Sequence, residues 1–173
     1  AAVLLIPAAA VAAVPDTRNA VLEWLGLRHV EVKRFPTPPA VSPTGNEALG
    51  DRTTLAAARA RVDFHVLTPA ALGNPTAVYV RSTPPGGRVV VVYGRVQLTE
   101  LQGGASQRYL QKILGPDARV ERVRVGSAPG VWITGAPHGV TYADRTGDFR
   151  QEDLQLAGDT LIWERDGPVL RIE

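Results

Sequence analysis

AVYVRSTPPGGRVVVVYG, residues 77–94, decides the fold. Val78 and Val80 alternate with Tyr79 and Arg81, and Val89 to Val92 form a β-branched run. β-branched and aromatic residues in short runs favour strands. Between them stand Pro84, Pro85, Gly86 and Gly87. Proline presets φ and glycine accepts positive φ, so the four residues turn the chain back on itself. The stretch therefore predicts an antiparallel hairpin.

The same pattern extends in both directions. QLTEL (97–101) leads to Gly103 and Gly104, and ARVERVRV (118–125) is followed by GVWITG (130–135) after Ser127, Ala128 and Pro129. GVTYAD (139–144) and DFRQEDLQLA (148–157) meet across Arg145, Thr146 and Gly147. TLIWER (160–165) and PVLRIE (168–173) meet across Asp166 and Gly167, a favoured two-residue hairpin turn. Towards the N-terminus RHVEVKR (28–34) alternates, with Val30 and Val32 on one face. Two segments read as helices. In LAAARARV (55–62), Thr53 or Thr54 supplies the cap, and Leu55, Ala58 and Val62 share a face. In SQRYLQKILG (106–115), Tyr109, Leu110, Ile113 and Leu114 form the apolar face and Gly115-Pro116 the stop. No β-helix-β spacing repeats, which argues against a parallel sheet. The expected fold is α+β: a curved, mostly antiparallel sheet of about eight or nine short strands with two helices packed on one face.

The first fourteen residues, AAVLLIPAAAVAAV, carry no charge and no polar side chain. A helix of that length reaches only about 21 Å, short of the roughly 30 Å of a hydrocarbon core. Residues 1–14 are expected to be the C-terminal end of a transmembrane helix, with the chain after Pro15 on the extracytoplasmic side. Ala10 and Ala12 also fit a signal-peptide cleavage pattern, which keeps that alternative open. Residues 15–50 would then hold a juxtamembrane helix, the first strand and a Pro-rich linker, and 51–173 the extracytoplasmic domain. Trp24, in AVLEWLGL, is the candidate for the membrane interface, because an indole settles at headgroup depth.

Composition excludes several chemistries. The chain is 45% hydrophobic and 21% charged with a formal net charge of +2, and it has no cysteine. Disulfides, thiolate metal sites and cysteine nucleophiles are ruled out. Lys33 and Lys112 are the two lysines, and arginine supplies the rest of the nineteen basic residues, interleaved with Asp and Glu. A nucleic-acid face needs clustered positive charge, so no nucleic-acid partner is expected. His29, His65 and His138 show no metal-ligand spacing, and neither a metal nor a cofactor is expected. Ser42, Ser82, Ser106 and Ser127 lie in no G-x-S-x-G or S-x-x-K motif. Glu152 and Asp153 are adjacent and would point to opposite faces of a strand. No catalytic residue is therefore assigned. The candidates for contact with a ligand or partner are His138, in a Gly/Pro-rich loop, Trp132 beside it, and His65.

Several segments in order resemble a known group: AVLEWLGLRHVEV, LAAARARVDFHVLTPAALG, RVVVVYG, LTELQGG, VRVGSAPGVWITGAPH and LAGDTLIWERDGPVLRIE. They look like the extracytoplasmic C-terminal domain, of unassigned function, of actinobacterial single-span membrane proteins related to anti-sigma factors. GVWITGAPH and LIWERDG are the most specific parts. The resemblance implies a regulator in which a cytoplasmic region upstream of Ala1 would hold a sigma factor, while the outer domain senses envelope state or receives an envelope protein, peptide or lipid. It supplies no catalytic residues. The function expected is a non-enzymatic, membrane-tethered sensory or protein-interaction domain. The alternative is a carrier-like module that encloses a lipid or lipoprotein acyl chain between sheet and helices.

Overall fold

The computed structural model describes residues 27–37, 49–103, 108–135, 138–149 and 155–173. The apolar head, the helix expected after Pro15, Trp24 and most of the Pro-rich stretch lie outside these residues. No helix among the described residues is long and apolar enough to cross a membrane.

The chain is β-dominant. Its strands are β1 (Val30–Arg34), β2 (Asp51–Thr53), β3 (Ala77–Arg81), β4 (Arg88–Tyr93), β5 (Val96–Leu101), β6 (Leu110–Leu114), β7 (Arg119–Val125), β8 (Ala128–Thr134), β9 (His138–Tyr142), β10 (Gln155–Ala157), β11 (Thr160–Glu164) and β12 (Val169–Ile172). One α-helix, α1 (Leu55–Arg59), and a 3-10 turn, Ala70–Leu72, complete the described elements. The strands form an eight-stranded sheet, ordered β2-β3-β4-β5-β12-β11-β8-β7, and a four-stranded sheet, ordered β1-β6-β9-β10. Every pair in the large sheet is antiparallel. In the small sheet β1 runs parallel to β6.

The pleat of the large sheet sorts its side chains between two cores. Leu101, Val131, Ile133, Ile162 and Val169 face the small sheet and pack with Val30, Val32, Leu110, Leu114 and Val140. Val78, Val80, Val89, Val91, Leu98, Trp163 and Leu170 face the other way, where Ala58 of α1 and Val66 cover them. Both faces of the large sheet are thus apolar, which is why RVVVVY reads as a continuous run instead of an alternation. β1 belongs to this folded unit, since Leu27, Val30 and Val32 sit in the inter-sheet core.

Both short turns behave as their residues dictate. Gly87 N–H donates to Pro84 O at 2.7 Å to close the β3–β4 connection. At the β11–β12 hairpin, Asp166 and Gly167 have φ of 54° and 110°. Two successive positive φ values are what a type I′ turn requires.

The expectation of a curved sheet with two helices on one face is not supported. Residues 110–114 form β6 and not a helix. Every residue of β6 is buried: β1 and β9 pair with its two edges, and Leu110, Lys112 and Leu114 face the large sheet. A strand buried on both faces has no reason to alternate, and its two polar members mimic the wet side of a helix. Gln111 is satisfied by a 2.7 Å hydrogen bond to Glu31 Oε2 on β1. Lys112 points towards the large sheet and donates to Thr160 Oγ1 at 3.3 Å. The first helix does form, but it stops at Arg59. Thr54 caps it by accepting the Ala57 N–H at 3.2 Å. Thr54→Ala is expected to lower the unfolding free energy by about 1 kcal/mol, read as a lower urea midpoint at unchanged slope.

Candidate functional site

A cleft of about 410 Å³ opens on the α1 side of the large sheet, where the chain after α1 crosses the β5 and β12 strands. Phe64, Leu67 and Leu170 supply apolar wall, and Glu100 lies among them. Asp63, His65, Arg165 and Asp166 stand exposed around the mouth. Arg165 Nε and Asp166 Oδ2 pair at 3.5 Å.

Glu100 occupies this position because of the pleat. In β5, Leu98 and Glu100 point to the α1 side, and Thr99 and Leu101 point to the small sheet. Across the middle of the sheet the Glu100 row reads Trp163, Leu170, Glu100, Val89, Val80, so that Glu100 has apolar neighbours on both sides. The residue has no solvent exposure (0%). Its Oε2 accepts the Leu67 backbone N–H at 2.9 Å. Its Oε1 is buried and has no hydrogen-bond partner. Burial lifts the Glu100 carboxyl from 4.5 to about 7, against the opposing pull of the Leu67 N–H and the Arg59 charge. Tyr93 is also shifted upward, by burial first and then by the Glu100 charge, with Arg59 opposing. A carboxyl in this range exchanges its proton near neutrality, and in its charged form Oε1 calls for a donor.

A second polar group lies on the other face, between the sheets. Arg171 of β12 donates from Nη1 to Tyr142 Oη at 2.7 Å and pairs through Nη2 with Glu173. The Arg88 guanidinium stacks 4.1 Å above the Tyr142 ring. Burial and the neighbouring Arg171 charge push the Lys112 amine well below its ordinary value, with Glu173 opposing. Burial also disfavours the Arg171 charge, but Tyr142 and Glu173 outweigh it and hold the guanidinium above its ordinary value.

The three residues singled out from sequence are not brought together. His65 reaches the cleft, on its exposed rim. His138 is not in an open loop but is the first residue of β9, buried in the inter-sheet layer with Nε2 3.4 Å from Thr160 Oγ1. Trp132 is half-buried on β8, in the row between Glu121 and Leu161, on the opposite face of the large sheet from His138. Among the described residues no group of three His, Asp or Glu side chains is placed to hold a metal ion. Among them, too, no serine lines the cleft, and Ser82 instead accepts from Arg145 Nη2 at 3.3 Å. In the turn at Arg145–Gly147, the Asp144 carboxylate accepts the backbone N–H groups of Thr146 and Asp148, at 2.8 and 3.2 Å.

Sequence reading missed Glu100, Lys112 and Arg171. A signal was present for the first: QLTEL has a leucine on each face, which marks a strand covered on both sides, so its glutamate must be buried. An acyl-chain carrier needs an enclosed apolar chamber between sheet and helices. This cleft opens to solvent and has carboxyl groups in its wall and rim. No protein-family model, curated protein or solved structure matches the chain.

Proposed function

We propose that this chain is a non-enzymatic, membrane-tethered binding domain on the extracytoplasmic side, the outer part of an anti-sigma-factor-like regulator, and that its ligand or partner docks in the Glu100 cleft. The tether would be the uncharged stretch at residues 1–14. The observation that carries the binding assignment is the concave site itself: Phe64, Leu67, Pro168 and Leu170 line it together with polar side chains, among them a buried glutamate, Glu100, whose Oε1 the protein leaves without a partner. Concave, largely apolar sites with a few convergent polar groups are the usual form of a binding pocket. Binding suits the site better than acid–base catalysis, because Asp63 and Asp166 sit exposed at the mouth while Glu100 alone of the three lies buried. A pair of carboxyls held on either side of a reacting bond needs both to be fixed.

The test is in-cell photocrosslinking with the full chain in its membrane. Replacing His65 by p-benzoylphenylalanine puts the probe on the cleft rim, and replacing Arg119 puts it on the exposed edge strand β7. A discrete adduct from position 65 and none from position 119 is expected. No adduct at 65, or the same adducts at both positions, would overturn the assignment of the cleft.

A further inference from the structure

We propose that the cleft is selective for a protonated amine on a short apolar stem, its ammonium group seated against Glu100 Oε1 and its stem lying along Phe64 and Leu67. This rests on the reading of the cleft as a binding site and names the chemistry of what binds there.

The carboxyl group has two oxygens with unlike fates. Oε2 is engaged by the Leu67 N–H at 2.9 Å, while Oε1 is buried without a partner, and the residue itself is among those lining the 410 Å³ cleft. A carboxylate offers only acceptors, so what completes it must donate. The charged groups around it do not already do so. Arg59 of α1 acts on Glu100 through its charge, but its Nη2 donates to Val66 O and Thr68 Oγ1, both at 3.4 Å. Arg165 at the mouth pairs with its neighbour Asp166. Tyr93 of β4, which feels the Glu100 charge, has its own hydroxyl buried without a partner. Asp63 adds negative charge at the rim, and His65 completes the titratable groups facing the cleft. An anion entering here meets Glu100 and Asp63, since the Asp166 and Arg165 charges at the mouth offset each other. A cation with an apolar stem meets a charge-assisted acceptor at the wall and carbon surface on the way in.

The ammonium group can come from a free small amine or from a lysine side chain of a docking protein. The probes are n-butylammonium chloride, acetyl-lysine-N-methylamide, and n-butanol as the uncharged counterpart. The full chain in detergent micelles is titrated with each at pH 8, and the Leu67 backbone amide, bonded to Glu100 itself, is followed by nitrogen-15 NMR. Butylammonium is expected to shift that amide saturably, with butanol at least about tenfold weaker, since a hydrogen bond to a charged group is worth that much or more. Glu100→Gln, which keeps an acceptor for the Leu67 N–H, is expected to lose the same factor for butylammonium. Asp63→Asn, at the rim, is expected to lose less than about threefold. Affinity should fall as pH drops from 8 to 6 and Glu100 takes up its proton.

Saturable binding of both amines supports the proposal with a side chain as a competent source, and binding of butylammonium alone supports it with a small amine as the source. Equal binding of butanol, undiminished binding by the Glu100→Gln protein, or tighter binding at pH 6 than at pH 8 would overturn it. If the position-65 crosslink forms and neither amine binds, the amine assignment falls and the cleft remains a binding site of other chemistry.

Discussion

Arg171→Leu is expected to lower the unfolding free energy by about 3–5 kcal/mol, whereas Lys112→Met, in the same buried layer, is expected to leave it unchanged or raise it. The contrast follows from what each cation holds. Arg171 is 3% exposed and binds Tyr142 Oη and the Glu173 carboxylate at once. Removing it takes the guanidinium away from both groups, leaving Tyr142 with Arg88 alone and the half-buried Glu173 carboxylate without its ion pair. Lys112 is 0% exposed and gives one 3.3 Å hydrogen bond to Thr160 Oγ1. That hydroxyl keeps its own donation to Gly158 O at 2.7 Å when the amine is gone. Methionine fills nearly the same space without a second positive charge beside Arg171. The pH dependence carries a matching sign. A lysine whose folded value is depressed binds its proton more tightly when unfolded, so stability rises with pH from the depressed value to about 10.4 and that rise should vanish in Lys112→Met. Urea unfolding of the three proteins between pH 6 and 10 checks both statements. Equal losses in the two variants would mean that the partners named for Arg171 carry no special weight.

The second large effect runs against the usual direction of a mutation. Glu100→Gln is expected to stabilise the protein at pH 8 by up to about 3 kcal/mol. Its carboxyl holds a proton to about pH 7 in the folded chain, against 4.5 ordinarily. Between those values the folded state binds more protons than the unfolded one. The Glu100 contribution is therefore fully present below about pH 4.5, declines as pH rises through 7, and stays low above it. Glutamine never ionises, so the difference between the two proteins should be small at pH 4.5, grow up to about pH 7 and then level off. Any pH dependence from Lys112 is common to both chains, since it lies on the other face of the sheet, and cancels in the difference. Parallel stability curves across pH 4.5–8.5 would remove the buried, ionising carboxyl from the account. With the amine titration, the expected outcome is a variant that folds better and binds worse, the mark of a residue retained for its site.

Much of the strand content was legible. The alternation of AVYVR, the valine run of RVVVVY and the Asp166-Gly167 turn correspond to β3, β4 and the β11–β12 hairpin because each is set by neighbours in sequence. The segment at 106–115 was not legible, for a reason that lies far away. Leu110 to Leu114 pair along one edge with β1, some eighty residues earlier, and along the other with β9, and those long-range pairings make a strand of them. The site was hidden in the same way. Nothing near Glu100 reveals that Leu67 will satisfy one of its oxygens and leave the other bare. Nothing near Lys112 reveals that Thr160 will face it. His65 drew attention because a histidine does so wherever it stands, and its neighbour in the cleft, thirty-five positions on, looked like an ordinary strand glutamate.

β12 lies between β5 and β11 in the middle of the eight-stranded sheet. It is also the last of the described strands to be made. Without it the large sheet is two separate ladders, β2 to β5 and β7-β8-β11, with no strand pairing between them. Each half shows a raw inner border, Leu98 to Leu101 on one and Leu161 to Glu164 on the other, until Val169–Ile172 lies between them and pairs with both. Until that strand is in place both borders are open to wrong partners, so the sheet is closed at its centre and not at its rim.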